Sequence, residues 1–368
     1  MYTLFIINGK ILSDIFKNPP LVHPPKNEKS HPFSWSYAVL SVILSAEKGG
    51  GAAHRLSNSQ CIRKIERMTT TLLVLAATMG NRYGGLKHPE SIGPGGETVL
   101  DYSIYDAIQA GFNRVIFVIS RYFEEEFKES ISSKYEKFID IDYVYQDVDS
   151  VGEELRNPKR THLWGSAQAV LMGERLIDRP FGVINAVNFY QRHSFELLYA
   201  RLQQLDASAS RHALIGYRLG NVVPESGGAN RGICEVDERG TLLSVTDRPG
   251  VERISGHPMY LNELNKWVQL DEEAMVSMNM WGFSPTIFSH IRHDFDNFIN
   301  QSGQDLKAFF TIPDFINGMI ADGRGEVEIH ETPAVWMGVV SPDDKIQTIL
   351  RINEMIRKGI YPPRLFAP

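Results

Sequence analysis

Short apolar runs alternate with longer amphipathic segments in the region from residue 72 to residue 205. Strands buried on both faces are predicted for four continuous apolar runs, at residues 72–77, 114–120, 141–146 and 180–186. Helices are predicted for four segments with apolar residues at helical spacing, at residues 98–110, 122–138, 165–177 and 194–205. The alternation predicts an α/β fold with a mostly parallel central sheet between two layers of helices.

The pattern changes after residue 212, where shorter segments suggest antiparallel or mixed strands. Residues 233–247 predict a hairpin that turns at Glu238, Arg239 and Gly240. From about residue 305 the chain is predicted to be helical, with one short strand at 326–334. We therefore expect a mixed-strand lobe after the parallel sheet, followed by a helical tail.

Residues 1–67 show no sustained hydrophobic period and contain the proline-rich stretch NPPLVHPPKNEKSHP. This segment is either a poorly structured extension or translated upstream sequence, with Met68 as the true start. We prefer the second interpretation, because an aliphatic strand begins immediately after Met68. The predicted organisation is therefore an N-terminal extension at 1–67 and one folded domain at 68–368.

Composition excludes several classes of protein. The net charge of the 368-residue chain is 38 − 44 = −6, which gives no support for a nucleic-acid partner. The two cysteines, Cys61 and Cys234, cannot form a disulfide framework, so we expect a reducing, cytoplasmic setting. No apolar run approaches the roughly 20 residues that a membrane-spanning helix needs.

Three stretches carry candidate chemistry. In LAATMGNRYGGLK, residues 75–87, a strand runs into a glycine-containing loop with two cations, an arrangement whose backbone N–H groups can hold phosphates. Its spacing matches neither the dinucleotide-binding nor the Walker A pattern. The second stretch, WGSAQAVLMG at 164–173, is also compatible with close packing of a helix on the sheet. The third, RGICEVDERGTLLSVTDRPG at 231–250, is also compatible with a hairpin that carries surface charges.

The order and spacing of these stretches resemble those of the sugar-nucleotide nucleotidyltransferases, the family that includes glucose-1-phosphate thymidylyltransferases. The resemblance covers residues 71–345 and implies a Rossmann-like three-layer α/β/α nucleotidyltransferase fold with a mixed-strand lobe on the sugar side. It also implies transfer of a nucleotidyl group from an NTP to a sugar 1-phosphate or similar phosphorylated acceptor, with Mg²⁺. It does not specify the base, the sugar phosphate or the oligomeric state.

The resemblance also assigns roles to particular residues. The expected catalytic cations are Arg82 and Lys87. The expected nucleotide-binding residues are Ala76, Ala77, Thr78, Met79, Gly80, Gln146, Gly165 and Ser166. The expected sugar-binding residues are Asn185, Gly232, Asp247 and Arg248.

The stretch VINAVNFYQR, residues 183–192, departs from that family at its centre, where a subgroup carries NADDFYGR. The metal-binding Asp falls on Val187 and the next acid on Asn188. Valine has no oxygen to offer Mg²⁺, which prefers oxygen ligands. Thr78 also replaces a glycine, where we expect it to resist positive φ and hinder close phosphate approach, and Asp247 replaces a glutamate.

Three explanations of these departures are open. In the first, the protein is a non-catalytic relative that still binds a nucleotide or sugar phosphate. In the second, it takes up Mg²⁺ mainly through substrate phosphates, assisted by Asn188 or Asp147. In the third, the sequence carries errors or gene decay. The metal ligands are therefore not assigned from the sequence.

Overall fold

The computed structural model describes residues 69–81, 85–87, 89–224, 227–335, 337 and 342–366, with only the backbone of 81, 154 and 342–344. The predicted N-terminal extension, residues 1–67, and the predicted start at Met68 lie outside the described residues.

The strands are named in chain order. They are Thr71–Leu75 (β1), Gly80–Asn81 (β2), Gly85–Leu86 (β3), Arg114–Ile119 (β4), Asp140–Tyr145 (β5), Phe181–Asn185 (β6), Arg211–Arg218 (β7), Ala229–Val236 (β8), Leu242–Ile254 (β9), His257–Leu261 (β10), Trp267–Gln269 (β11), Met275–Phe283 (β12) and Glu326–Thr332 (β13). The α-helices are Val99–Ala110 (α1), Glu124–Phe127 (α2), Ser166–Leu171 (α3), Arg192–Leu202 (α4), Ile287–Ser302 (α5), Ile312–Ala321 (α6) and Pro342–Arg357 (α7).

Four parallel strands form the part of the sheet that the apolar runs predicted. They lie in the order β6-β1-β4-β5, with Leu75 of β1 paired to Val118 of β4 and to Asn185 of β6. Because the strands are parallel and in this register, their carboxyl ends meet along one edge. The predicted parallel core of the fold is confirmed.

The rest of the large sheet is mixed, as predicted. β12 is antiparallel to β6, β7 and β8, and β13 runs parallel to β7. β8 and β9 form the expected hairpin, followed by β10 and β11. We call β7 to β13, residues 211–332, the mixed-strand lobe.

Helices cover both faces of the sheet and complete three layers. Leu72 and Val74 of β1 point to one core, which α1, α2 and α4 cover. Leu73 between them points to the opposite core, which α3, α5 and α6 cover. Successive side chains of a strand point to opposite faces, so alternate side chains of β1 pack in two separate cores. No helix in the described part of the chain is long and apolar enough to cross a membrane.

Two predicted helices are shorter or less regular than expected. The helix predicted at 122–138 is α only over α2 and continues as a π-helix at Lys128–Ser132. Its buried hydrophobic residues recur at every fourth position, Phe123, Phe127, Ile131 and Tyr135, and a wider turn keeps such a set on one face.

The helix predicted at 165–177 ends as α-helix at Leu171. Its next turns are tighter, with hydrogen bonds from Gly173 N–H to Val170 and from Leu176 N–H to Gly173. A side chain at Gly173 would come within 3.0 Å of Ile177. The tight turns therefore bring this segment close to the core.

A buried carboxyl group joins α1 to the C-terminal segment. Asp106 is fully buried, accepts a hydrogen bond of 2.6 Å from the Tyr361 hydroxyl and lies 3.3 Å from Nε of Arg192. Burial raises the pKa of Asp106 from 3.8 to about 7, although Tyr361 and Arg192 oppose the shift. The folded protein therefore holds this proton more tightly than the unfolded chain does.

Asp106 is expected to make stability depend on pH. Because its pKa is raised in the folded state, Asp106 contributes to the free energy of unfolding. This contribution is fully present below about pH 3.8 and is lost as pH rises through about 7. Relative to Asp106→Asn, the wild-type free energy of unfolding should fall across this window by up to about 1.4 kcal/mol per pH unit. Urea denaturation of both proteins at a series of pH values measures the difference. A wild-type protein that gains relative stability with pH would contradict this assignment.

Candidate functional site

A pocket of about 590 Å³ opens at the carboxyl edge of the parallel strands. Leu75, Ser120, Gln146 and Asn185, which end or directly follow β1, β4, β5 and β6, all line it. This edge is where open α/β sheets bind ligands, because the loops after the strands leave a crevice there. The pocket therefore has the position expected of an active site.

The loop after β1 forms one wall of the pocket. Ala77–Met79 is a short 3₁₀ turn, and Ala77, Thr78 and Gly80 line the pocket. Thr78 does not adopt positive φ, so the backbone strain expected at this position is not present. A side chain at Gly80 would meet the buried Phe123 ring at 2.1 Å, which explains the glycine.

The other residues expected in this loop lie elsewhere. Ala76 and Met79 are buried and do not line the pocket, and their N–H groups donate to the carbonyls of Val118 and Ala76. Lys87 is exposed and outside the pocket lining, with its N–H donating to Met79. Arg82 lies outside the described residues.

Gln146 and the start of α3 meet at a second wall. Nε2 of Gln146, which is 3% exposed, donates to the carbonyl of Gly165 at 2.8 Å and to Oε1 of Gln168 at 2.7 Å. Gly165 has a φ of 115°, and a side chain there would come within 2.3 Å of the Phe310 carbonyl. Gly165 and Ser166 both line the pocket. The structure thus brings the three residues together, and the positive φ and the close packing against Phe310 require the glycine.

Asp147 is the only carboxylate among the described residues that line the pocket. It is 7% exposed and accepts hydrogen bonds from Oγ of Ser120 and from N–H and Nη1 of Arg121. Its negative charge is therefore already compensated inside the protein.

The turn after β6 is tied to β12 through one buried hydroxyl. The hydroxyl of Tyr190, which is fully buried, accepts from Asn185 N–H at 3.1 Å and from Nδ2 of Asn188 at 3.3 Å. It donates to the carbonyl of Met278 at 3.1 Å. Burial raises the pKa of Tyr190 to about 12, so the hydroxyl stays protonated at neutral pH. The turn is therefore fixed although it carries no acid.

Val187, at the tip of that turn, presents an apolar side chain to the pocket. It is 55% exposed and belongs to the lining. Asn185 also lines the pocket, whereas Asn188 is half-buried.

The predicted sugar-binding residues of the mixed-strand lobe are close to one another. Gly232 on β8 pairs with Asp247 on β9, and the Arg248 guanidinium lies 5.0 Å from the Tyr260 ring centre. Partial desolvation, and then the charge of Asp314, raises the pKa of Asp247. None of these three predicted residues is part of the pocket lining, so the structure groups them apart from Asn185.

The lining residues that were absent from the sequence-based assignment include Ser120, Tyr122, His162 and Phe309. Ser120 follows β4 directly, so the rule that ligands bind at strand carboxyl ends could have found it. The two aromatic residues at 122 and 309 are 56% and 48% exposed, which no local pattern revealed.

The profile of the nucleotidyl transferase family matches residues 86–352 of the chain. The chain belongs to the nucleotidyl transferase family. No curated protein sequence matches it significantly. The chain shares its fold with a Bacillus anthracis protein described as a candidate glucose-1-phosphate thymidylyltransferase in complex with sucrose. The TM-score is 0.50 at 12% identity, over 78% of this chain and 96% of the other.

Two further solved structures resemble this chain. One is an inositol-1-phosphate CTP transferase from T. maritima, with a TM-score of 0.49 at 12% identity over 78% of this chain and 97% of the other. The second is HddC from Yersinia pseudotuberculosis, with a TM-score of 0.46 at 14% identity over 77% of this chain and 99% of the other.

Replacing Tyr190 tests whether its hydroxyl holds the β6 turn. Tyr190→Phe removes the acceptor of the Asn185 N–H and one of two acceptors of the Asn188 amide, which also donates to the Met278 carbonyl. This change should cost about 1–3 kcal/mol of unfolding free energy. Urea denaturation measures this loss. Tyr143→Phe is the matched control, because its hydroxyl bonds to Ser132, away from the pocket. Equal losses in the two variants would argue against a special role for Tyr190.

Proposed function

We propose that this nucleotidyl transferase moves a nucleotidyl group from an NTP to a sugar 1-phosphate or a similar phosphorylated acceptor, releasing pyrophosphate. Membership of the family supports nucleotidyl transfer. The observation that carries the proposal is the pocket itself, which joins the loop after β1, Gln146 and Gly165 at the carboxyl edge of the sheet.

Gln146 is proposed to read the base of the nucleotide. Its Nε2 already donates to Gly165 and Gln168, so Oε1 is the group left for a ligand. An acceptor at this position selects a base edge that presents an N–H donor. The amide is held in place by its own two bonds, so little ordering is needed on binding.

The proposed reaction is an in-line displacement at phosphorus. A phosphate oxygen of the acceptor forms a bond to the α-phosphorus, and the bond from the α-phosphorus to the bridging oxygen of the β-phosphate breaks. The electron pair leaves on pyrophosphate. Such a reaction depends on positioning and on compensation of the phosphoryl charge, and it needs no covalent nucleophile. We assign this compensation to Lys87 and to Arg82, by the resemblance of their loop.

The described residues of the pocket do not fit a Mg²⁺ ion held by the protein. Val187 has no oxygen, both oxygens of the Asp147 carboxylate accept hydrogen bonds from Ser120 and Arg121, and Asn188 is not part of the pocket lining. Among the residues that the structure describes, no group of three or more His, Cys, Asp or Glu could hold a metal. We propose that any Mg²⁺ enters with the NTP, bound mainly by phosphate oxygens.

A second candidate function is binding without turnover. The exposed Val187 side chain favours it, because it stands in the pocket where the resemblance places the metal-binding acid. Loss of several kcal/mol of metal stabilisation would lower the rate roughly 10³-fold or more. The scaffold would then bind its ligands and release little pyrophosphate.

Pyrophosphate release separates the two functions. The full-length chain is incubated with ATP, GTP, CTP, UTP or dTTP, a panel of sugar 1-phosphates and Mg²⁺, and we expect release with at least one pair. Lys87→Met should lower the rate at least about tenfold, since one charge-assisted contact is worth about 1.5–3 kcal/mol.

Lys266→Met is the control for that variant, because Lys266 lies in the loop between β10 and β11, outside the pocket lining. Ligand binding without pyrophosphate release would support the second function. Failure to bind any nucleotide would contradict both.

A further inference from the structure

Two segments distant in the sequence form one side of the pocket. The first, residues 160–164, precedes α3, and the second, residues 303–310, follows α5. Thr161, His162 and Leu163 of the first and Phe309 of the second line the pocket. Neither segment belongs to the glycine-containing loop that carries the proposed phosphate contacts.

A buried arginine locks the two segments together. Arg160 has no exposed surface and stacks on the Trp164 ring, with 3.7 Å from Cζ to the ring centre. Its guanidinium donates, over distances of 2.6 to 3.3 Å, to the backbone carbonyls of His162, Leu163, Asp305 and Ala308. Two of these carbonyls lie on each segment, so the wall is fixed before any ligand arrives.

The backbone next to Phe309 is bonded directly to the start of α3. Phe310 N–H donates to the carbonyl of Trp164 at 2.7 Å, and Ala167 N–H donates to the carbonyl of Phe310 at 3.1 Å. Gly165 lies against the same peptide group, with no room for a side chain. Phe309 is therefore held beside Gly165, on the wall that also contains Gln146.

The Phe309 side chain is not buried in the core. It is 48% exposed, whereas its neighbour Phe310 is 6% exposed. The nearest ring partner in the lining is His162, with ring centroids 6.0 Å apart and an angle of 55° between the planes. A half-exposed aromatic ring on a rigid backbone suits a flat apolar ligand, because stacking then costs little conformational entropy.

We propose that Phe309 stacks on the base of the bound nucleotide, with the His162 ring flanking it. This inference rests on the proposed function and adds a residue that determines the affinity for the base. Gln146 provides the hydrogen bond at the edge of the base, and Phe309 provides the contact with its face. Because every base has an aromatic face, stacking raises affinity for all nucleotides, and for the larger purine rings most.

The test compares ligands with and without a base. Isothermal titration calorimetry on the full-length chain measures the Kd of ATP, GTP, CTP, UTP, dTTP and inorganic tripolyphosphate. Phe309→Leu should weaken the tightest-bound nucleoside triphosphate by about 5- to 100-fold, the range of one base–aromatic stack. The affinity for tripolyphosphate should change by less than about twofold, because it has no base to stack.

Leu306→Ala is the matched control. It lies on the same segment and is 36% exposed, but it is not part of the pocket lining, so it should leave every affinity unchanged. Tyr122→Leu reports on another exposed ring that lines the pocket. Thermal melting of each variant checks that the fold is retained.

Several results would overturn the inference while leaving the proposed function in place. One is wild-type binding of nucleotides that Phe309→Leu does not alter. Another is an equal loss for tripolyphosphate, which would mean that Phe309 shapes the whole pocket. A third is a base-dependent loss in Tyr122→Leu alone. Absence of nucleotide binding by the wild-type chain is a different result, since it would contradict the proposed function itself.

Discussion

The parallel hydrogen-bond ladder through β6, β1, β4 and β5 fixes where this protein can bind a ligand. Leu75 pairs with both Val118 and Asn185, so the loops after the strands are brought to a single edge. Burial of both sheet faces by helices leaves that edge as the accessible part of the parallel core. This one register places the loop after β1, Gln146 and the β6 turn at the same edge.

At the β6 turn, the contacts that hold the backbone do not involve the side chain at position 187. The turn is held by the Tyr190 hydroxyl and by its bond to β12, and neither contact needs an acid at position 187. A valine at position 187 is compatible with the fold and presents no charge to the pocket, where Asp147 is paired with Arg121. Under the proposed function, a pocket with less negative charge favours binding of a triphosphate, and the absence of a metal-binding oxygen lowers the catalytic rate.

Much of the fold could be predicted because its signals are local. The apolar runs of β1, β4 and β6 and the β8–β9 hairpin each depend on neighbouring residues. The π-helix after α2 could not be predicted, since apolar residues spaced by four also fit a regular α-helix. Within the candidate site, the residues after strand ends were predictable. Phe309 was not, because only the fold places it beside Gly165, held by bonds such as that from Arg160 to Ala308, 148 residues along the chain.

The central claim is that the scaffold for nucleotidyl transfer is intact and lacks one carboxylate. The most direct measurement is Mg²⁺-dependent pyrophosphate release by Val187→Asp, a substitution at a side chain that is 55% exposed in the pocket. Asn188 is left unchanged because its amide bonds to Tyr190. We predict a rise of at least about tenfold, equivalent to about 1.4 kcal/mol of barrier, and no rise in Leu264→Asp, where the added charge lies outside the pocket lining. Unchanged release with nucleotide binding retained would contradict the claim.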